Sequence, residues 1–278
     1  MLTGPFFIPD FGHGLGSPEF DALARVPNIV GSILKVTQGT GAAWPAWFNT
    51  HWPRARAAGG ARYGSTWFRG AYVFGTPDDG VRQCDFALDQ IDRAGGWGPG
   101  DMPLAWDIEG DAWRDDKALR RRVSAAFAAR YYQRTGRQAM LYANGDIGIG
   151  PDDGFNILWT PHPRRLGVWP ASRFVVYQYA GLNNGRVSYY DPSSVPARRG
   201  FPLRIAGWGS SHGTDMNVVL DGENGDALMD ASRLREVLVG GPRRRFNVRP
   251  GVAIAGAGFL AVSLIVGAFA WRQHQERW

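Results

Sequence analysis

Residues 102–111 read MPLAWDIEGD, and this stretch decides both the fold and the candidate chemistry. A short apolar run from Pro103 to Ile108 ends in two acids, Asp107 and Glu109, with a glycine directly after them. A run of this length, bounded by glycine and proline, predicts a buried strand. Side chains at positions i and i+2 share one strand face, so the two carboxylates should point the same way, ~7 Å apart, with Ile108 opposite.

Two carboxylates at a strand end are an arrangement that glycoside hydrolysis can use. One carboxyl group donates a proton to the leaving oxygen while the other stays ionised and stabilises positive charge. The alternative is structural: solvated acids that end a strand and begin the next helix. An isolated Asp-x-Glu does not decide between the two, so the rest of the chain must.

Strand-like and helix-like stretches alternate along the chain. We predict strands over 6–10, 32–36, 70–74, 104–109, 138–143, 157–160, 174–179 and 215–220, and helices over 18–26, 46–58, 79–94, 116–134 and 232–238. Repeated strand–helix units predict an α/β fold with a parallel sheet and helices outside it. With about eight strands, the economical solution is a closed (β/α)-barrel, TIM-like but irregular because its later helices are reduced. Chemistry in such barrels lies at the carboxyl ends of the strands, where these acids fall.

The composition excludes several classes of protein. The single cysteine, Cys84, excludes an internal disulfide framework, and five histidines without ligand spacing predict neither a metal nor another cofactor. The net charge is +6, but residues 242–278 hold six arginines and one glutamate, which leaves +1 for the remainder. The basic character therefore belongs to the C-terminal tail and does not indicate nucleic-acid binding by the folded part.

The tail contains a candidate membrane span. Val252–Trp271, VAIAGAGFLAVSLIVGAFAW, has no charged residue, and as a helix it would cover ~30 Å, the thickness of a bilayer core. Ala253, Ala257 and Ala261 form a row of small residues that could pack against another helix, including a second copy. We divide the chain into a barrel (1–240), a basic linker (241–251), one transmembrane helix (252–271) and a short polar tail (272–278). A buried core helix is the alternative for 252–271.

The charges around this span leave its orientation open. The arginines before the span are Arg243, Arg244, Arg245 and Arg249, and those after it are Arg272 and Arg277. The positive-inside bias would then keep the large domain in the cytoplasm. The N-terminal residues MLTGPFFIPDFGHG do not have the pattern of a signal peptide.

A series of short motifs follows in a fixed order from residue 5 to residue 220. They are FFIPDFGHG, SILKVTQG, GAYVF, PLAWDIE, QAMLYAN, ILWT, VYQY and Asp215-Met216-Asn217. In this order they resemble the family 25 glycoside hydrolases, the Chalaropsis-type lysozymes found among phage endolysins and bacterial autolysins. The resemblance implies cleavage of the β-1,4 bond between N-acetylmuramic acid and N-acetylglucosamine in peptidoglycan.

The same resemblance implies roles for individual residues. Glu109 would be the general acid, Asp107 would stay ionised and stabilise the developing positive charge, and Asp10 would help to set the field of the cleft. The residues expected to line the cleft or to contact sugar are Asp215, Tyr72, Trp159, Gln178, Gln38 and Tyr142. The alternative for Asp10 and Asp215 is an N-cap or loop position, and for Tyr72 and Trp159 it is the barrel core.

Three departures from the family pattern keep a second function open. Gln38 replaces the glutamate of the family's T-E-G motif, Phe11-Gly12-His13 replaces the serine of the first loop, and Leu182–Thr214 is a longer connection that could form a flap or subsite wall. The leading hypothesis is a membrane-tethered muramidase, acting in phage lysis or entry if the domain reaches the wall only once the membrane is breached. The competing hypotheses are a catalytically inactive, tethered glycan-binding barrel and a lysis factor whose span alone does the work.

Overall fold

The computed structural model describes residues 5–12, 17–26, 28–60, 67–98, 100–110, 113, 116–143, 147–161, 168–169, 175–183, 186–190, 215–220, 234 and 238–239. These all lie in the first of the two units, Met1–Arg243 and Arg244–Trp278, into which the chain divides. The strands are β1 (Phe6–Phe7), β2 (Asp10–Phe11), β3 (Gly31–Gln38), β4 (Ala42–Ala43), β5 (Phe68–Phe74), β6 (Ala105–Asp107), β7 (Ala139–Tyr142), β8 (Phe155–Thr160), β9 (Val175–Asn183), β10 (Arg186–Tyr189) and β11 (Met216–Leu220). The helices are α1 (Phe20–Arg25), α2 (Pro45–Gly60), α3 (Gly80–Arg93) and α4 (Lys117–Thr135), with a 3-10 turn at Pro151–Asp153.

The strands form one curled, mixed sheet in the order β1-β11-β9-β8-β7-β6-β5-β3-β2. From β2 through β9 the neighbours on this path run parallel, whereas β11 pairs antiparallel with β9 and with β1. The two ends of the path, β1 and β2, are separated in the chain only by Ile8 and Pro9. The segment bonds to both sides: Ile8 N–H donates to Asn217 O at 2.9 Å, and Ile33 N–H donates to Pro9 O at 3.0 Å. One short segment thus joins the two ends of the sheet.

The helices that flank the sheet begin and end at side-chain and glycine caps. Asp79 accepts hydrogen bonds from Val81 N (2.8 Å) and Arg82 N (3.2 Å) at the start of α3. Asp116 caps α4 through Leu119 N at 2.8 Å, and Gly136 ends α4 with φ +68°, a conformation that glycine adopts without strain. These caps fix the helix bounds close to those that the sequence predicts.

Alternate residues of each strand serve two separate cores. On β6, Trp106 belongs to the outer core between sheet and helices, where it stacks on Phe127 at 4.3 Å and donates to Ser124 Oγ at 2.9 Å. Ala105 belongs to the inner core inside the curled sheet, together with Phe6, Ile33, Phe68, Met102, Met140, Ile157 and Val176. The inner core is apolar towards the amino ends of the parallel strands, and polar side chains follow it towards their carboxyl ends.

The amino-end side of the sheet is held by C-terminal residues and by buried charge. Leu234 and Leu238 are buried in the inner core. Arg137 Nη2 donates to Val239 O at 3.0 Å and to Asp101 O at 2.8 Å. Asp101 also forms a buried bidentate ion pair with Arg69, which is 1% exposed. The last described residues therefore lie at the end of the sheet opposite the acids.

The structure confirms the coarse fold prediction and changes parts of it. The sheet is curled and flanked by helices as expected, but it is mixed, whereas the predicted (β/α)-barrel is all parallel. The difference arises because β10 and β11 pair antiparallel with β9, and β4 pairs antiparallel with β3. The predicted first strand, 6–10, is two strands separated by Ile8 and Pro9, since Pro9 has no N–H to contribute to a ladder. The strands β4 and β10 were not predicted. Cys84 lies buried in α3.

The described part of the chain contains no helix that is long and apolar enough to cross a membrane. The predicted span Val252–Trp271, the basic linker, and most of the connection Leu182–Thr214 lie outside the described residues. These stay predictions from sequence.

Candidate active site

Eight strands place one polar or aromatic side chain each on the inner face near the carboxyl end of the sheet. They are Asp10, Lys35, Tyr72, Asp107, Tyr142, Trp159, Gln178 and Asn217. Register links them around the ring: Lys35 faces Tyr72, Asp107 faces Tyr142, and Tyr142 faces Trp159. On the antiparallel side, Asn217 faces Gln178, and Asp10 bridges to Asp215. The fold therefore gathers residues from distant parts of the chain into one site.

The acid pair of the opening motif lies at the end of β6. Ile108 is buried in the outer core, so Asp107 and Glu109 share the inner face as the alternation predicts. Asp107 is buried, its Oδ1 accepts the Glu109 N–H at 3.3 Å, and Glu109 is partly exposed. Burial raises the pKa of Asp107 well above its usual range, and the neighbouring Glu109 charge raises it further. Burial also raises the pKa of Glu109. Such a pair retains a proton at a pH where free carboxyl groups would have lost it, and Glu109 is the member open to solvent.

Lys35 sets the positive charge beside this pair. Its Nζ donates to Gln38 Oε1 at 3.0 Å and lies 4.6 Å from the Phe74 ring centroid and 5.2 Å from that of Trp44. Burial lowers the pKa of Lys35, whereas the charges of Asp107 and Glu109 raise it. In turn, Lys35 favours the ionised form of both acids. Because its hydrogen-bond partner here is the neutral amide of Gln38, the charges that raise the pKa of Lys35 are those of Asp107 and Glu109, and burial has the larger, lowering effect.

A buried hydrogen-bond network centred on Asn217 holds Asp10. Asn217 is 0% exposed, and its Nδ2 donates to Asp10 Oδ2 and to Ile8 O, both at 2.8 Å. Its Oδ1 accepts the indole N–H of Trp159 at 2.7 Å. Burial raises the pKa of Asp10 well above its usual range, the Asp215 charge raises it further, and the Asn217 hydrogen bond opposes the shift. Asp10 is thus fixed in place by a neutral amide rather than by a cation.

Two tyrosines complete the inner wall. Tyr142 donates its hydroxyl proton to Gln178 Oε1 at 2.6 Å and lies with its ring centroid 4.6 Å from that of Trp159. Tyr72 packs edge-on to Trp159 at 5.8 Å. Burial, followed by the surrounding carboxylates, raises the pKa of both tyrosines well above the usual value, so both phenols stay protonated.

The structure brings together all nine residues that the sequence singled out, but it divides them by exposure. Glu109, Gln38 and Asp215 are partly exposed at the rim. The four expected sugar contacts on the inner wall, Tyr72, Tyr142, Trp159 and Gln178, are between 2% and 9% exposed. Trp159 in particular is 2% exposed and uses its N–H on Asn217, which makes it a positioning residue in this structure.

Sequence reasoning missed five residues of the site. These are Lys35, Trp44, Phe74, Tyr190 and Asn217. Lys35 and Asn217 lie within quoted motifs, SILKVTQG and Asp215-Met216-Asn217, and their positions on the inner face follow from the same alternation that assigned Asp107 and Glu109. Trp44 and Phe74 had no signal beyond their aromatic character. Within the part of the chain that the structure describes, no group of three or more His, Cys, Asp or Glu side chains is arranged to hold a metal ion.

Comparison with known proteins places this fold among the lysozymes. No protein-family model matches the chain, and no curated protein matches it. Among solved structures, a family 25 lysozyme from Aspergillus fumigatus is similar, with a TM-score of 0.58 and 20% identity over 85% of this chain and 100% of the other. A lysozyme from Streptomyces coelicolor has a TM-score of 0.56 and 20% identity, covering 84% and 97%. A muramidase from Trichobolus zukalii has a TM-score of 0.55 and 17% identity, covering 84% and 98%. The chain therefore shares the fold of the family 25 lysozymes.

Proposed function

We propose that this protein is a glycoside hydrolase that cleaves the β-1,4 bond between N-acetylmuramic acid and N-acetylglucosamine in peptidoglycan. The observation that carries the proposal is the Asp107–Glu109 pair: two carboxyl groups with raised pKa values, on one strand face, at the carboxyl end of a curled sheet. The shared fold with proteins described as lysozymes and muramidases supports the choice of substrate.

The roles within the pair follow from exposure and charge. Glu109 is the carboxyl group that a substrate can reach, so it donates the proton to the glycosidic oxygen. Asp107 lies behind it, and burial opposes its ionisation whereas Lys35 favours it. When the proton that the pair retains is on Glu109, Asp107 is the ionised member, and its carboxylate stabilises the positive charge that develops on the sugar ring. Asp215 adds negative potential on the opposite side of the site, and Asp10 does so when it is ionised. Tyr142 and Trp159 hold the inner wall in place.

The sequence-predicted span makes the enzyme membrane-anchored in our proposal. Val252–Trp271 is long enough to cross a bilayer once, and its row of alanines would allow helix pairing. A role in phage-mediated lysis or entry would reconcile the cytoplasmic bias of the flanking arginines with a substrate outside the membrane. Extraction of the full chain from membranes by detergent, but not by alkaline carbonate, would support the anchor. Extraction of the intact chain by carbonate alone would contradict it.

The activity is tested with the full-length chain in detergent on purified peptidoglycan. The wild type should release soluble glycan fragments, and Glu109→Gln, which keeps the size of the side chain but cannot donate an acidic proton, should lower the rate by at least about a hundredfold. Glu19→Gln is the matched control, because Glu19 is an exposed glutamate before α1 and should leave the rate unchanged.

The second candidate function is a tethered glycan-binding barrel without catalysis. The observation that favours it is Gln38, which puts a neutral amide where the resembled family has a carboxylate and leaves the cleft less negative. This candidate predicts that the wild type pulls down with insoluble peptidoglycan but releases no fragments. It also predicts that Glu109→Gln binds as well as the wild type.

A further inference from the structure

Tyr190 is an aromatic side chain at the rim for which the catalytic scheme has no use. Among the aromatic side chains that the structure describes, Tyr190 alone has more than a third of its surface exposed, at 36%. It follows β10, one of the two strands that the sequence did not predict, in the connection that is longer than in the resembled family. Tyrosine combines an apolar ring with a polar hydroxyl, a combination that is enriched at binding interfaces.

The hairpin of β9 and β10 fixes where Tyr190 lies. Tyr189 pairs with Ala180, and Tyr190 N–H donates to Tyr179 O at 3.0 Å, so the chain is tied to β9 up to residue 190. Tyr189 packs with Tyr179 on the outer side. Tyr190 therefore points to the other side, and its hydroxyl donates to Asp215 Oδ1 at 3.3 Å.

Gly181 provides the space for this contact. A Cβ at residue 181 would collide with both Asp215 Oδ1 and the Tyr190 hydroxyl. The glycine is thus required for close approach, so that the carboxylate of Asp215 and the phenol of Tyr190 can meet across the backbone of β9. The contact belongs to a built cluster rather than to a tyrosine placed at random on the surface.

The electrostatics put Tyr190 beside the acids of the site. Burial of its hydroxyl end raises the pKa of Tyr190, and the charges of Asp215, Asp10 and Glu109 raise it further. The phenol thus stays protonated and able to donate. A hydroxyl-to-carboxylate distance of 3.3 Å is longer than the ~2.7 Å usual for such bonds, so this hydrogen bond is weak. The exposed ring, rather than the hydroxyl, is therefore the larger contact that Tyr190 offers to a ligand.

We propose that Tyr190 binds sugar: its ring packs against a pyranose unit of the glycan strand, next to the unit held over Asp107 and Glu109. Hexosamine rings present a face of C–H bonds, which fits the negative face of an aromatic ring. The pairing of β10 with β9 and the backbone hydrogen bond from Tyr190 to Tyr179 hold the ring at this position. The inference rests on the proposed function for its ligand class.

The test uses the full-length chain in detergent with soluble peptidoglycan oligomers of increasing length. Tyr190→Ala removes the ring and should raise KM about tenfold on long oligomers with kcat within about threefold of the wild type. Tyr190→Phe keeps the ring and should stay within about threefold in both. Tyr189→Phe, which alters the outer side of the same hairpin, is the matched control. Thermal melting confirms that each variant folds, and Tyr190→Leu replaces Tyr190→Ala if the latter does not.

Each outcome decides the inference. A KM for Tyr190→Ala within about twofold of the wild type at every oligomer length would overturn the inference. A lower kcat with an unchanged KM would also overturn it, because Tyr190 would then act only through Asp215 and not by binding sugar. If the wild type cleaves no oligomer, the proposed hydrolase activity fails separately. Tyr190 is then judged by pull-down on insoluble peptidoglycan, where about tenfold weaker binding of Tyr190→Ala supports the inference and equal binding overturns it.

Discussion

Asn217→Ala should be among the most destabilising single changes in the site. The side chain is 0% exposed and makes three hydrogen bonds, to Ile8 O, Asp10 Oδ2 and Trp159 Nε1, all between 2.7 and 2.8 Å. Each such bond contributes about 1 kcal/mol and a bond to a carboxylate contributes more, and truncation leaves all three partners buried and unpaired. We expect the free energy of unfolding to fall by about 3–4 kcal/mol.

Thermal unfolding of the full chain in one fixed detergent measures this loss. For a domain of this size, about 3–4 kcal/mol corresponds to a fall in Tm of about 6–15 °C. Asn156→Ala is the matched control, because Asn156 lies on β8 and its Oδ1 is buried without a hydrogen-bond partner. The control should change Tm by no more than about 3 °C. A fall for Asn217→Ala as small as that of the control would refute the Asn217 hydrogen bonds as the element that joins β2, β8 and β11.

Three further predictions concern a buried carboxyl group, a buried thiol and a buried ion pair. Because the pKa of Asp10 is raised, the folded chain binds more protons than the unfolded chain above pH ~4, and the wild type loses stability as pH rises through the raised pKa. The Tm of Asp10→Asn should therefore rise relative to that of the wild type between pH 4 and pH 8. A Tm difference that stays constant over this range would contradict the raised pKa. Burial raises the pKa of Cys84 to about 12, so Ellman's reagent should modify it at pH 8 only after unfolding, and rapid reaction of the folded chain would show the thiol to be accessible. Asp101→Asn removes the charge of one partner of the buried ion pair with Arg69 and should lower the free energy of unfolding in urea by about 3–5 kcal/mol. Arg121→Ala breaks an ion pair whose arginine is 56% exposed and should lower it by at most about 1 kcal/mol. Similar losses for the two variants would refute the difference between the buried and the exposed ion pair.

Local pattern predicted much of the fold because strand alternation is a local property. The faces of Asp107, Ile108 and Glu109 follow from a period of two, and the bounds of α3 and α4 follow from the caps at Asp79 and Asp116. The residues that converge on the site could be predicted only as strand ends. The order in which the strands pair was not predicted from the residues but assumed from a parallel barrel.

The parts that the sequence could not predict depend on contacts between distant residues. Asn217 bonds to Asp10, 207 positions away in the chain, and nothing in either motif specifies that pairing. The strand β11 lies between β1 and β9 and pairs antiparallel with both, so its direction depends on strands that are far apart in the chain. The strand β10 and Tyr190 lie in a stretch whose glycines and polar residues predict only a loop. Burial of Trp159 likewise depends on neighbours from other strands.

The most direct test of the central claim is the chemistry of the new chain ends that the protein makes in peptidoglycan. Purified peptidoglycan is digested with the full-length wild type and with Glu109→Gln, reduced with borohydride, and analysed by mass spectrometry. We predict reduced N-acetylmuramic acid at the new ends in the wild-type digest and its loss in the variant. No new reducing ends with the wild type, or the same ends with Glu109→Gln, would contradict the assignment of Glu109 as the proton donor of a muramidase.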